Sequence, residues 1–289
     1  MRSIPKPEGN QFSASSVYKK CVDEVSNKTM RDAFNSSIVD IVNAANDYDT
    51  AGNNSTLVEL LPNDGDKEKA FLNGLSKEHF IKLYSNQLVK KEIPRKEIYD
   101  QLKSRAPHGK CPFCGYCDVD QLDHYLPKSK YPLLTVLPLN LVPSCPYCNG
   151  GKNAEIAERP EDQILHPYYD HELIMEHQWV FASVIRSQPA AVKYFVRTPD
   201  HFDPVASSRV VNHFEKNSLA TRYSTQAADQ ISTLPYTLEY FYSSGGAENV
   251  KEHLLRQYRA EHQKFKNSWQ TAMYLALAED DWFCSGGFR

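Results

Sequence analysis

Several absences narrow this sequence before any motif does. No apolar run reaches the roughly 18 residues that a bilayer-crossing helix needs, so a helical membrane span is not expected. The opening Met1-Arg2-Ser3-Ile4-Pro5-Lys6-Pro7 has no apolar stretch of the secretory kind. No Gly-x-x-x-x-Gly-Lys-Ser/Thr loop occurs, so any nucleotide-derived energy must come from another protein. Internal repeats and low-complexity tracts are missing too. A large charge excess is also lacking: the net charge is −3, which excludes a polycation that holds nucleic acid over its whole surface. No separate domain of basic helices is apparent. The cysteines number seven, an odd total, and with no secretory signal this predicts a reducing, cytoplasmic setting without a disulfide framework.

What remains is ordinary in bulk and unusual in one place. A hydrophobic content of 41% and a charged content of 24% over 289 residues suit a globular protein with a sizeable core and two or three structural units. The unusual place holds two Cys-x-x-Cys pairs, Cys111-Pro-Phe-Cys114 and Cys145-Pro-Tyr-Cys148, with 30 residues between Cys114 and Cys145. Two such turns supply four thiolates, the shell of a structural zinc ion with no open position for substrate. Metal binding would close the loop and contribute directly to its folding. Cys117 leaves a second pairing open, because Cys114 and Cys117 have the same spacing. The Pro-Phe and Pro-Tyr centres, and Gly115 after Cys114, favour Cys111 with Cys114. Two free-thiol or redox pairs are the plainer alternative.

Between and after the pairs lie Asp123, His124, Asn140, Asn149 and Lys152. Gln121-Leu122-Asp123-His124-Tyr125 alternates like a short strand, and Leu126-Pro127 ends it. Neighbouring strand residues face opposite ways, so a bulge is expected if Asp123 and His124 are to meet at one point. Asn149 should begin a short helix carrying Lys152. In this order the residues resemble the HNH, or ββα-metal, nuclease family, over about residues 105–155. Asn149 stands where the family name has its closing His; an amide oxygen still suits a hard cation. The resemblance implies Asp123 and Asn149 as ligands of a catalytic Mg²⁺ or Mn²⁺. His124 would be the general base, since imidazole titrates near neutrality. Asn140 would tie the loop and orient that base. Lys128 and Lys152 are candidate phosphate contacts, although solvated lysines are commoner. Residues 101–153 hold six Lys or Arg against three Asp, a local excess that fits phosphate contact.

The expected fold class is α+β and mainly helical, with a zinc-stapled ββα-metal core at residues 106–170. A helical region at residues 1–105 would precede it, and a β-hairpin plus helices at residues 171–289 would follow. Apolar residues recur at helical spacing through residues 12–105, with loops at Asn53-Asn54 and at residues 62–66, and Ser76 as a helix cap. This half carries no chemical motif of its own. His166 and Asp170 invite a ligand role, but a buried or capping His is the commoner outcome. Residues 178–197 read as a hairpin turning at residues 187–190. Residues 205–232 and 248–279 read as helices, the second with Tyr258, His262, Phe265, Trp269 and Met273 on one stripe.

A wider set narrows the family match. The Met-Arg-x-Ile-x-Lys start, the run from Leu122 to Ser129, the Asn140-Leu-Val-Pro-Ser-Cys145 run and His166-Pro167-Tyr168 resemble the PtuB-type nucleases of bacterial anti-phage systems such as Septu. That resemblance implies a DNA-cutting effector restrained or triggered by an ABC-type ATPase of the PtuA type, docked on the helical N-terminal region or the C-terminal helix. A stand-alone restriction or homing-type nuclease, and a non-catalytic zinc-binding nucleic-acid or protein adaptor, are the alternatives.

Overall fold

A computed structural model describes residues 1–150, 156–170 and 172–289. The chain is mainly helical, with three two-stranded antiparallel ribbons among the described residues. It divides into two compact units. One comprises Ser3–Phe113 with Cys117–Tyr169; the other comprises Met1–Arg2, Cys114–Tyr116 and Asp170–Arg289.

The first unit begins with α1 (Ala14–Asp23), α2 (Lys28–Ser36) and α3 (Ile38–Asn53). Polar side chains start the first two helices by satisfying backbone N–H groups that have no partner inside the helix. Ser13 accepts from the Ser16 amide at 3.3 Å, and Asn27 accepts from the Met30 amide at 2.9 Å. A small ribbon follows, β1 (Ala70–Leu72) with β2 (Leu75–Ser76), where the sequence pattern gave no strand. Ser76 then caps α4 (Lys77–Lys82), as the sequence predicts, and does so in a reciprocal box with His79 that the sequence reading did not include. The chain continues through a wide helical turn, Leu83–Leu88, then α5 (Glu92–Pro94), a second wide turn, Arg95–Tyr99, and α6 (Asp100–Ser104).

These helices bury Tyr18, Phe34, Phe80, Leu88, Ile98 and Leu102 in one core. Leu122 and Leu141 belong to the same core, so the helices form a floor beneath the second ribbon. That ribbon is β3 (Gln121–His124) paired with β4 (Leu141–Ser144), and a short helix, α7 (Pro146–Gly150), follows β4 directly.

In the second unit, α8 (Glu172–Met175) leads into the hairpin β5 (Val180–Ile185) and β6 (Ala191–Val196). This hairpin is where the alternating pattern put it. Next come α9 (Pro204–Lys216), α10 (Leu219–Lys264) and α11 (Trp269–Glu279). The helical ends differ from expectation. Residues 233–247, expected to lie between two helices, are helical except for a break at Gly245 and Gly246; Gly246 has φ 64°. The helix expected over 248–279 is interrupted by extended backbone at Phe265, so its aromatic stripe is divided between α10 and α11. The segment Cys114–Tyr116 belongs to this unit. Tyr223 donates a hydrogen bond to the Cys114 carbonyl at 2.8 Å, and Arg222 donates to the Tyr116 hydroxyl at 2.9 Å. A buried ion pair, Asp170 with Arg209, ties the start of the unit to α9.

No helix among the described residues is long and apolar enough to cross a membrane.

Candidate metal centre and adjoining polar cluster

Cys111, Cys114, Cys145 and Cys148 come together, all buried, with their sulfurs within 4.8 Å of one another. Zinc–sulfur bonds of about 2.3 Å in a tetrahedron place sulfurs about 3.8 Å apart, so the cluster suits one ion after slight contraction. The grouping selects between the two pairings left open by spacing. Cys117 stays outside the set; its backbone carbonyl accepts from the Cys111 amide at 2.8 Å and so shapes the first knuckle. Gly115, at φ 77°, lets the chain turn in the left-handed region directly after Cys114. Four buried thiols this close together, with a donor set of sulfur alone, fit a structural zinc site.

The four thiols bracket the β3–β4 ribbon. Its register is regular: Gln121 faces Ser144, Leu122 faces Pro143, Asp123 faces Val142 and His124 faces Leu141. The bulge expected between Asp123 and His124 is therefore absent. The two side chains leave a regular ladder on opposite faces, and both are buried. The His124 ring meets the Tyr84 ring edge-on, with centroids 4.4 Å apart. Burial first, and then Tyr99 and the Asp123 charge, hold the Tyr84 phenol well above its ordinary pKa.

His124 Nε2 lies 2.8 Å from the Thr135 carbonyl oxygen. A carbonyl can only accept, so this nitrogen carries hydrogen, and in the neutral ring the lone pair sits on Nδ1. Lys128 places its ammonium 4.7 Å from the centre of the Tyr84 ring. Burial lowers its pKa, and the Asp123 charge acts in the opposite direction.

Asn140 is fully buried and holds the loop that follows β3. Its side-chain oxygen accepts from the Leu126 amide at 2.7 Å. Its side-chain nitrogen donates to the Leu126 and Leu134 carbonyls at 3.0 and 3.2 Å. Its backbone carbonyl accepts from the Tyr125 amide at 2.8 Å, which extends the strand pairing by one residue. Asn149 is half-buried on α7, and its amide donates to the Cys145 carbonyl at 3.1 Å. Lys152 lies outside the described residues.

His166 is buried, and partners engage both ring nitrogens. The Tyr168 amide donates to Nδ1 at 3.1 Å, and Nε2 lies 3.0 Å from the Tyr48 hydroxyl. Asp170 is committed to Arg209, within the second unit. Sequence reasoning missed Tyr48 and Tyr84. Both sit at helical spacing in a segment without a chemical motif, where a tyrosine reads as core.

No family profile matches the chain, and no solved structure matches it. Two curated proteins do. The chain is 30% identical to protein ea31 of Escherichia phage lambda over 226 residues, covering 73% of this chain and 75% of that one. It is 36% identical to the Septu protein PtuB of Bacillus thuringiensis over 69 residues, covering 22% of this chain and 26% of that one.

Proposed function

The chain belongs to the family of the phage lambda protein ea31, and from that footing we propose that it is a metal-dependent HNH-type endonuclease serving as a Septu-like defence effector. One observation carries the reading. Asp123 and His124 are consecutive buried residues at the end of a strand, in a ribbon bracketed by four thiols and followed at once by the helix carrying Asn149. The partial likeness to PtuB supports the same reading.

The residues suit hydrolysis of a phosphodiester. Asp123 and Asn149 offer a carboxylate and an amide oxygen, a donor set for a hard divalent cation. Mg²⁺ or Mn²⁺ held there would stabilise the charge that develops at the scissile phosphate. His124, oriented by the Thr135 carbonyl, would receive a proton from water at Nδ1. Asn140 fixes the loop that supplies Thr135 and Leu126, and so acts on His124 through the backbone. Lys128 and Lys152 would contact phosphate. The tetrathiolate zinc would take no part in the reaction; it would hold the strands. By the resemblance to PtuB-type proteins, an ATPase of the PtuA kind would be the partner, and DNA is favoured over RNA as substrate.

The test uses the purified zinc-loaded protein, alone and with a co-expressed ATPase, on plasmid DNA and total RNA with Mg²⁺ or Mn²⁺. Cleavage that needs the added cation and falls at least about 100-fold in His124→Ala, with zinc content unchanged, supports the proposal. Cleavage by His124→Ala at the wild-type rate removes it as the base. A protein that binds nucleic acid but never cuts it, with or without the ATPase, is an adaptor.

A further inference from the structure

We propose that Tyr84 is a positioning residue for His124: its ring packs against the imidazole and fixes the plane in which Nδ1 is presented. The inference rests on the nuclease reading, in which His124 is the general base.

One hydrogen bond does not orient an imidazole. Nε2 of His124 lies 2.8 Å from the Thr135 carbonyl oxygen. That bond leaves the ring free to swing about its anchored nitrogen, because the outer torsion of histidine is broad. A base must aim its lone pair at one place, and a displacement of about 1 Å can cost about 100-fold in rate. A second contact is needed to fix the plane. Tyr84 supplies it: the two rings meet at 69°, with centroids 4.4 Å apart.

Tyr84 is itself registered to the strand that carries His124. Tyr125 donates to the Asn140 carbonyl, so hydrogen-bonded pairs recur at Asp123–Val142 and Gln121–Ser144. Leu122 and Pro143 form a pair of the other kind, which suits a proline with no N–H to give. The amide and carbonyl of Leu122 therefore point away from β4, to the outer edge of β3. Two tyrosines meet them there. The Leu122 amide donates to the Tyr99 hydroxyl, and the Tyr84 hydroxyl donates to the Leu122 carbonyl, each at 3.4 Å. Tyr84 stands in the wide helical turn Leu83–Leu88, in the same core as Leu122. Leu122 and His124 are two residues apart and share a face of the strand. The turn thus delivers the ring to that face, and the hydroxyl sets its height along the strand.

The hydroxyl contact is long, so the ring carries the effect on His124. The same ring serves a second group. The ammonium of Lys128 lies 4.7 Å from its centre, within cation–π range. The base and a proposed phosphate contact are thus referred to one buried platform.

The experiment has two arms on zinc-loaded protein. The first is nitrogen NMR of the histidine rings without the catalytic metal. A fixed tautomer gives His124 two well-separated nitrogen resonances, and the Thr135 carbonyl protects the Nε2 hydrogen from exchange. Tyr84→Leu should draw the two resonances together and speed that exchange, whereas Tyr84→Phe should keep the wild-type pattern. Phe34→Leu removes another buried ring of this core, one packed on Tyr18 and Phe80, and should leave His124 as in wild type. If Tyr84→Leu does not fold, Tyr84→Met fills similar space without a ring and takes its place. The second arm is kinetic, under the conditions in which wild type cuts. Tyr84→Leu should lose up to about 100-fold in kcat with KM unchanged, and Tyr84→Phe should restore most of the rate. A folded ringless variant with wild-type His124 resonances overturns the proposal. So does one with wild-type kcat where His124→Ala is inactive, and so does Phe34→Leu moving His124 as far as Tyr84→Leu does. The nuclease reading fails separately: if His124→Ala cuts as fast as wild type, or wild type never cuts, that reading falls. The nitrogen resonances then still decide whether Tyr84 holds the ring.

Discussion

Asn140 has no exposed surface and spends its whole side chain on backbone groups. Three hydrogen bonds to Leu126 and Leu134 leave little room for direct chemistry, so its work is to fix the loop between β3 and β4. Asn140→Ala strands one buried amide and two carbonyls. Each orphaned group costs about 1–3 kcal/mol, so a loss of about 3 kcal/mol in unfolding free energy is expected. Denaturant titration checks this, and a loss below about 1 kcal/mol would show that water replaces the amide. Asp in the same place accepts from Leu126 but cannot donate when ionised, so Asn140→Asp should be no milder. By contrast, Cys21 and Cys284 are inert. Burial pushes their thiols up to about 12 and about 11, so neither is an appreciable thiolate near neutrality.

The β3–β4 ribbon pairs four residues on each strand, too few to be stable alone in water. The helical floor contributes apolar contact through Leu122 and Leu141, and the four thiols close the ends. Cys145→Ser should therefore lose zinc and lower the melting temperature, because three thiolates and a hydroxyl make a poor zinc shell. Zinc content by atomic emission and a melting curve check both, and full zinc with unchanged melting would remove the ion from its structural place.

The tetrathiolate grouping was legible in the sequence because each knuckle is local: two residues between cysteines fix what the turn can do. The cap at Ser76 and the hairpin at residues 180–196 were legible for the same reason. The contacts of Tyr48 and Tyr84 were not, since only tertiary packing brings Tyr48 to His166 and Tyr84 to His124. The helix through residues 233–244 was hidden because Pro235 lies inside it and Tyr236 and Tyr240 are exposed, although Leu234 and Leu238 are buried at helical spacing. The small β1–β2 ribbon is too short to show alternation.

At the scale of the molecule, two compact units are built from a chain whose recognisable chemistry occupies only a small part. The match to ea31 runs over 226 residues, far beyond the cysteine region, so the helical parts belong to the family as well. On the proposed reading these helical parts would dock an ATPase. Co-expression with a PtuA-like ATPase should give a complex that survives size-exclusion chromatography. Separate elution at micromolar concentrations would leave the chain to act alone. The first unit also depends on one close approach: a side chain at Gly52 would place its first carbon 2.5 Å from the Tyr169 ring.

The bracketing of β3 and β4 by thiols has a cellular corollary. A polypeptide fresh from the ribosome holds its cysteines far apart, and until an ion gathers them the strand bearing Asp123 and His124 lacks its clasp. If that strand cuts nucleic acid and the thiols hold zinc, as proposed, cleavage would begin only after the ion has closed the ribbon.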